Sequence, residues 1–293
     1  MKNKGKQVVL DVRAGCALVL IALIGCSLPA RAQQSPSPGT ITHVYPLEKA
    51  AELLEQWYAK PVTYEGPIWR WQGDLKVLGK LPNGKEVVVV REHTLVMPED
   101  AAPNKTPTLD AALVAKVIGA YHQQNPDRGR FRVTESRLGF HIVPAEAHDD
   151  SGSLAPVTSL LDARVAVPVA QRTAAEHVSA LCQAVTAATG IVLKFEDWGV
   201  FDKNFAANGF RLPQRLTGAE RPYMLFEWGT GETTALEALL DLMDHSSTTM
   251  TWRIHCGQPG EGCGMGLYAL AVGPNKRQVV FDRCTNCQLL PKK

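Results

Sequence analysis

The sequence has no large excess of either charge and no second long apolar run. It contains 31 basic and 29 acidic residues, and its formal net charge is +2. Five of the basic residues and one of the acidic residues lie among the first 32, so the rest of the chain has a net charge of −2. A nearly neutral chain lacks the basic surface that binds nucleic acid or anionic lipid. We therefore expect no nucleic-acid partner and no membrane-spanning segment beyond the first 32 residues.

The sequence also lacks the short motifs that carry common enzyme chemistry. It contains no G-x-S-x-G nucleophile elbow, no G-x-G-x-x-G or P-loop, and no H-E-x-x-H zinc motif. These absences remove the usual reasons to assign a catalytic nucleophile, a nucleotide or a metal. We expect a non-enzymatic protein without a cofactor.

The first 32 residues have the three parts of an export signal. A basic start over residues 1–13 precedes an unbroken apolar run over residues 16–25, and Ala30-Arg31-Ala32 places small residues where a signal peptidase reads them. We expect residues 1–32 to be a signal peptide and the protein to be periplasmic or secreted through the Sec route. A second pattern overlaps the first, because Leu23-Ile24-Gly25-Cys26 resembles a bacterial lipobox. In that alternative Cys26 is lipidated and tethers an outer-membrane lipoprotein peripherally.

Alternating helix and strand patterns divide the rest of the chain into two similar stretches. At about 150 residues per domain, 293 residues predict two domains. We assign a flexible lead to residues 33–41, a linker to residues 149–162 and a cysteine-containing tail to residues 275–293. The two modules occupy residues 42–148 and 163–274. The predicted fold class is α+β: two tandem βαββαββ-type modules, each with two helices packed on small mixed or antiparallel sheets.

Matched segments indicate that the two modules arose by duplication. Residues 108–114 (Thr-Leu-Asp-Ala-Ala-Leu-Val) align with residues 234–240 (Thr-Ala-Leu-Glu-Ala-Leu-Leu) at an offset of 126. Thr106 or Thr108 is expected to begin the helix in the first module, because threonine is a favoured N-cap residue. The first helix of the second module is expected to begin at Thr173.

An apolar pattern in the second module is shared with a known family. It runs through a helix over residues 173–190 that ends in Ala-Thr-Gly, a strand over residues 191–195, a helix over residues 234–243 and a strand that begins Met250-Thr-Trp-Arg. This pattern resembles the short N-terminal (STN) domain of bacterial secretins and TonB-dependent receptors, and the first module resembles it more weakly. The resemblance implies a periplasmic protein-interaction module without catalytic residues. No secretin pore, β-barrel or receptor plug follows in this sequence, so we expect no channel-forming role.

Four cysteines near the end of the chain are the main candidates for covalent chemistry. Cys256 and Cys263 flank the turn of a predicted hairpin, and Cys284 and Cys287 lie in the tail. In an exported protein we expect structural disulfides among the four, for which three connectivities exist. Two alternatives use the same residues. One is a zinc site with His255 nearby, and the other is a thiol-disulfide oxidoreductase that uses Cys284 and Cys287.

Other residues of metal-binding type are expected to be structural. Cys182 lies on the apolar face of a helix and is expected to be a buried free thiol. His141 alternates with core-facing residues on a strand. His148, Asp149 and Asp150 open the linker, where we expect solvated side chains rather than a metal site.

Two pairs of acidic and aromatic residues recur in the two modules, namely Glu65 with Trp69 and Glu196 with Trp198. A glycan or peptide cleft would explain the recurrence, because tryptophan rings stack on sugars. Duplication of core residues would explain it equally. A peptidoglycan- or glycan-binding module is therefore an alternative function.

The leading hypothesis is a non-catalytic envelope protein that binds another envelope protein. Small sheets leave unpaired backbone groups at their edges, so a partner can bind by β-strand addition. By position along the chain, the candidate edges are Arg132 to Thr134 and Lys194 to Glu196.

Overall fold

The computed structural model describes residues 39–80, 82, 86–106, 108–196, 224–245, 249–270 and 288–289. All of these residues belong to one compact unit of the chain. Of the described helices, none has both the length and the apolar character needed to cross a bilayer. The predicted signal peptide, which contains Cys26, lies outside the described residues. Trp198, Cys284 and Cys287 lie outside them as well.

The described chain contains four α-helices, each with one apolar face turned to the interior. They are α1 (Pro46–Tyr58), α2 (Ala111–Gln124), α3 (Ala174–Thr189) and α4 (Ala235–Asp244). In α1 the buried positions include Leu47, Ala50, Ala51 and Leu54, which repeat at intervals of three and four. This spacing is the one that places side chains on a single face of a helix.

Helix α3 begins and ends as local chemistry predicts. The Thr173 hydroxyl accepts from the backbone N–H of Glu176, and the Glu176 carboxylate accepts from the backbone N–H of Thr173. This reciprocal arrangement satisfies two donors that the first turn would otherwise leave unpaired. Gly190 ends the helix with a φ of 70°, a left-handed conformation that glycine adopts without steric cost.

Helix α2 begins at a different residue from the one expected. The Oδ1 atom of Asp110 accepts from the backbone N–H of Leu113 at 2.8 Å, so Asp110 is the N-cap. The prediction of Thr106 or Thr108 was therefore wrong. Aspartate is as good an N-cap as threonine, and it lies one position before the first helical residue.

The first half of the chain forms two strand groups around α1 and α2. Strand β1 (Thr40–His43) pairs antiparallel with β5 (His93–Val96). Strand β2 (Val62–Glu65) runs parallel to β7 (Phe140–His148), and β6 (Arg130–Glu135) runs antiparallel to β7. Strands β6 and β7 follow each other in the chain and form a hairpin.

Three further strands of the first half lie outside these groups. Strands β3 (Leu75–Lys80) and β4 (Glu86–Val90) form a separate antiparallel hairpin, and β8 (Leu154–Pro156) pairs antiparallel with the end of β7. The β3–β4 hairpin exposes Val77 and Leu78, which are 50% and 60% exposed.

The second half contributes six described strands, which are β9 (Arg164–Arg172), β10 (Leu193–Phe195), β11 (Met224–Thr234), β12 (Met250–Cys256), β13 (Cys263–Ala269) and β14 (Gln288–Leu289). Strand β9 pairs antiparallel with β11, which also pairs antiparallel with β14. Strand β10 runs parallel to β13, and β12 runs antiparallel to β13. The predicted hairpin near Met250 is formed by β12 and β13.

The two halves share one sheet. Its strand order is β10-β13-β12-β2-β7-β6, so β12 from the second half lies beside β2 from the first. These two strands run parallel, with Arg253 opposite Tyr64 and Ile254 opposite Glu65. The chain is therefore α+β, as the sequence predicts, with helices packed on small mixed sheets.

Each half also has its own hydrophobic core. In the first half Leu54, Val117 and Ile142 are fully buried between α1, α2 and the sheet. In the second half Leu181 and Leu239 are fully buried between α3, α4 and the sheet. Truncating such a leucine to alanine costs about 2–5 kcal/mol, so each core stabilises its half strongly. The contact between β2 and β12, together with the side chains that pack on it, is called the junction below.

Candidate functional site

The junction contains a buried ion pair. Arg253 Nη2 donates to Glu55 Oε2 at 2.7 Å, and the two residues are 2% and 7% exposed. The other carboxylate oxygen of Glu55 accepts from the Thr251 hydroxyl and from the backbone N–H of Val62. Because both charges are removed from water, loss of either partner would leave an uncompensated buried charge. The ion pair therefore joins the end of α1 to β12.

A second acidic side chain of α1 contacts the junction. Glu48 Oε2 lies 3.1 Å from Nε2 of His255, and the His255 ring lies 4.9 Å from the ring of Tyr45. Burial alone would raise the pKa of Glu48, but the hydrogen bond and charge of His255 outweigh it and lower the pKa overall. Glu48 is therefore ionised at neutral pH.

His141 is a neutral core histidine at the junction. It is 2% exposed, and its two ring nitrogens form hydrogen bonds with the hydroxyls of Thr63 and Ser136 at 2.9 and 2.7 Å. Its ring is stacked on Trp252, with centroids 4.9 Å apart. Burial lowers the pKa of His141 to about 4, so the ring carries no charge at pH 7. Among the described residues no group of three or more histidine, cysteine, aspartate or glutamate side chains is placed to hold a metal ion.

His148 differs from its predicted role as a solvated linker residue. It is 7% exposed, and its Nδ1 atom lies 2.8 Å from Oδ2 of the buried Asp74. The other oxygen of Asp74 pairs with Arg128. The prediction was wrong for His148 because β7 continues to this residue and keeps it inside the fold, whereas Asp150 is exposed as expected.

A cavity of about 600 Å³ lies beside the junction. Its walls come from residues 65–68 and 70 at the end of β2 and just after it, from residues between positions 144 and 164 on β7 to β9, and from residues 188, 189 and 191 at the end of α3, together with Cys256. The walls are largely apolar. Sites for small molecules have volumes of about 300–1,000 Å³, apolar walls and a few polar groups, and this cavity has those properties.

Glu65 is the buried acidic group in the cavity wall. It is 2% exposed and accepts hydrogen bonds from the Ser159 hydroxyl and, at 2.8 Å, from the backbone N–H of Leu160. Burial raises the pKa of Glu65 to about 7 against these hydrogen bonds, which lower it. Near neutral pH the group therefore exchanges between its neutral and charged forms.

The other members of the predicted acidic and aromatic pairs lie elsewhere. Trp69 is 5% exposed, lies 6.4 Å from the ring of Tyr45 and is not part of the cavity wall. Glu196 is exposed just after β10. Of the four predicted residues, only Glu65 reaches the cavity, and Trp198 is outside the described residues.

The cysteines of the β12–β13 hairpin form a disulfide. Cys256 and Cys263 are joined with an S–S distance of 2.05 Å, so the bridge closes the hairpin across its turn. In this form the two sulfurs are not thiolates and do not offer the ligands that zinc needs. Cys182 is buried and free, and burial raises the pKa of its thiol to about 12, which makes it unreactive.

The sequence analysis missed Glu55, Arg253 and Ser159. A signal existed for Arg253, because it is a charged residue inside an otherwise apolar strand. Glu55 and Ser159 carry no comparable signal, since both residue types are common on helix surfaces and in loops. Their roles depend on contacts with residues 198 and 94 positions away in the sequence.

Comparison with known proteins does not place the chain in a family. No family model, curated protein or solved structure matches it.

Proposed function

We propose that the protein is a non-catalytic interaction module of the bacterial cell envelope, built from two diverged copies of an STN-like βαββαββ module. The strand pairings support two copies. The antiparallel pair β1–β5 corresponds to β9–β11, the parallel pair β2–β7 corresponds to β10–β13, and the antiparallel pair β6–β7 corresponds to β12–β13. With β3, β4, β8 and β14 set aside, both halves also follow one order of helices and strands.

Two features support the envelope as the location. Residues 1–32 have the pattern of an export signal. The disulfide between Cys256 and Cys263 is of the kind that persists in oxidising compartments such as the periplasm. A lipid tether at Cys26 remains the alternative mature form.

The observation that carries the proposed interaction is the position of β6. Both predicted edge segments lie in strands at the ends of the shared sheet, β6 at one end and β10 at the other. Within the described residues, β6 pairs only with β7. An end strand presents backbone groups that a further strand can pair with.

The hydrogen-bond register shows which groups of β6 face outward. The Ser136 N–H donates to the Gly139 carbonyl across the hairpin turn at 2.9 Å, so Ser136 belongs to the residues that bond to β7. In an antiparallel pair such residues alternate with residues whose N–H and C=O groups point away from the neighbouring strand. Phe131, Val133 and Glu135 are therefore the outward set. The N–H of Phe131 agrees, since it donates to Nε2 of His122 rather than to β7. Val133 and Glu135 remain for a partner strand.

We assign this edge to an extended segment of another envelope protein. Backbone hydrogen bonds to Val133 and Glu135 would supply affinity, and the half-buried Val133 side chain would contact alternate residues of the partner. The neighbouring Arg132 pairs with Asp162 through exposed side chains and lies in the bonded set that faces β7.

The test is site-specific photo-crosslinking in cells that express the full chain, with the photoreactive residue at position 135. We expect crosslinks to one partner, and Val133→Pro should reduce them about tenfold because proline removes the outward N–H and obstructs pairing. Arg132→Ala is the matched control, since it changes a side chain and leaves the edge backbone intact. Crosslinking that survives Val133→Pro in a protein with unchanged circular dichroism would contradict strand addition.

The two alternative functions stay predictions. The oxidoreductase hypothesis depends on Cys284 and Cys287, and the glycan hypothesis depends in part on Trp198. All three residues lie outside the described part of the chain.

A further inference from the structure

Glu65 differs from the other buried acids of the described chain in having no ion-pair partner, since Arg132, whose charge lowers its pKa from farther away, pairs with Asp162 instead. Four carboxylates are buried there. Glu48 pairs with His255, Glu55 with Arg253, and Asp74 with both Arg128 and His148. Among the described residues, the partners of Glu65 are a hydroxyl and a backbone N–H.

A buried carboxylate without a cation is costly, because burial removes the water that would stabilise its charge. The two hydrogen bonds to Glu65 occupy one acceptor position on each oxygen, so each oxygen keeps further acceptor capacity. Glu65 lines the cavity of about 600 Å³. A ligand in the cavity can therefore supply the missing donor.

The other residues of the cavity wall determine what kind of molecule could carry this donor. The wall next to Glu65 is formed by apolar side chains, chiefly Pro67, Ile68, Pro144, Pro156, Leu160 and Ile191. The other charged and titratable groups of the wall are Arg70, His148, Asp149, Asp162 and Arg164. Arg70, Asp162 and Arg164 are exposed, and His148 is already paired with Asp74. Asp149 is half-buried and accepts hydrogen bonds from the backbone N–H groups of Ser151 and Ser153. Glu65 is therefore the fully buried carboxylate of the wall without an ion pair.

We propose that this cavity binds a hydrophobic amine, whose ammonium group pairs with Glu65 and whose apolar body lies against the proline and aliphatic wall. The site is separate from the β6 edge and does not rest on strand addition. Its volume admits a ligand of about ten to twenty non-hydrogen atoms.

Binding is coupled to the ionisation of Glu65. A cation beside the carboxylate favours the charged form, so the ligand binds more tightly as pH rises through 7. His148 also lines the cavity, and its Nδ1 atom is already bonded to Asp74. Replacing Glu65 with glutamine removes the charge and keeps a side chain that can bond to Ser159 and Leu160.

The test compares two probes of nearly equal size, 2-phenylethylamine and 3-phenylpropionate, by NMR titration of the full chain at pH 6 and pH 8. We expect saturable shifts from the amine at residues of the cavity wall, stronger at pH 8, and none from the carboxylate. Glu65→Gln should weaken amine binding at least about tenfold, since it removes a charge-assisted hydrogen bond. Glu196→Gln is the matched control, because Glu196 is exposed and lies outside the wall.

Equal binding of both probes, or amine binding that Glu65→Gln leaves unchanged, would overturn the proposal and make Glu65 a structural group. If Glu65→Gln fails to fold, Ala188→Trp decides, because Ala188 is exposed and lines the cavity. Loss of amine binding in that variant supports the site, and unchanged binding overturns it.

The amine could belong to a peptide N-terminus or to a free small molecule, and a peptide amide with a free N-terminal phenylalanine separates these two sources. Tighter binding than 2-phenylethylamine indicates a peptide N-terminus, and weaker binding indicates a free small molecule.

Discussion

Glu55 and Glu65 lie ten positions apart and are both buried, yet their environments assign them different chemistry. Glu55 has a guanidinium, a hydroxyl and a backbone N–H as partners. Glu65 has two neutral donors and a cavity beside it. Arg253 therefore gives Glu55 an ion-pair partner, whereas burial raises the pKa of Glu65 to about 7.

The raised pKa of Glu65 predicts a pH-dependent stability. Between pH 4.5, the ordinary value, and about 7, the unfolded chain releases this proton while the folded protein keeps it. The contribution of Glu65 to the free energy of unfolding therefore falls as pH rises through this window and is constant above it. Relative to Glu65→Gln, which does not titrate, the wild-type protein should lose roughly 3 kcal/mol between pH 4.5 and 7.

Urea unfolding of both proteins at a series of pH values measures this difference. Taking the difference also removes the opposite effect of His141, whose pKa is lowered to about 4. Glu196→Gln, an exposed substitution, should give a flat difference from wild type. A flat difference for Glu65→Gln as well would show that the pKa of Glu65 is the same in the folded and unfolded protein and is not raised by burial.

At the scale of single elements, a glycine at the end of α3 and a glycine inside α2 show how backbone conformation decides the effect of a substitution. Gly190 and Gly119 both have open space where a Cβ atom would lie. Gly190 has a φ of 70°, whereas Gly119 lies inside α2 with ordinary helical geometry. The two positions therefore have equal room for a side chain, but the φ angle is positive at Gly190 and negative at Gly119.

Alanine should therefore have opposite effects at the two glycines. Gly190→Ala should destabilise the protein by about 1 kcal/mol, because a side chain is disfavoured at positive φ. Gly119→Ala should stabilise it by about 0.5–1 kcal/mol, because alanine is the better helix former. Thermal unfolding of the two variants measures both. Equal shifts of Tm in the same direction would contradict this interpretation.

At the scale of the whole molecule, the junction joins the two halves, each with its own core, into one structure. Each half has its own core, but β2 and β12 belong to one sheet, and the buried ion pair of Glu55 and Arg253 joins α1 to β12. A shared sheet couples the two halves, so we expect unfolding in a single cooperative transition.

Breaking the ion pair should weaken this coupling. Arg253→Ala should lower the free energy of unfolding by about 3–5 kcal/mol, because it removes the guanidinium from a buried ion pair and leaves the Glu55 carboxylate with neutral donors alone. Arg164→Ala is the matched control, since the Arg164 side chain is 63% exposed and its pair with Glu232 contributes at most about 1 kcal/mol. Calorimetry combined with urea unfolding measures both effects. Two separate transitions in the wild-type protein, or equal losses in the two variants, would contradict the role given to the junction.

Local features of the fold could be read from the sequence. The periodicity of α1, the capping residues of α3 and the β12–β13 hairpin with its flanking cysteines depend on neighbours a few positions away. Helix caps and turns are local hydrogen-bonding arrangements, so the residues that form them lie close in sequence. For this reason the two helices of each half and the α+β class were predicted correctly.

The junction and the cavity could not be predicted in this way. Arg253 meets Glu55 across 198 positions, and Ser159 meets Glu65 across 94. No periodicity specifies that β12 pairs with β2, because both strands are buried on each side and carry no register signal of their own. The sequence by itself determined the helices, the caps of α3 and the position of two cysteines at the mouth of the β12–β13 hairpin, while it left three disulfide connectivities open and misplaced the start of α2. Long-range packing decided which charges are paired, why Glu65 lacks a cation and where the cavity lies, since burial and pairing are properties of residues brought together only by the folded chain.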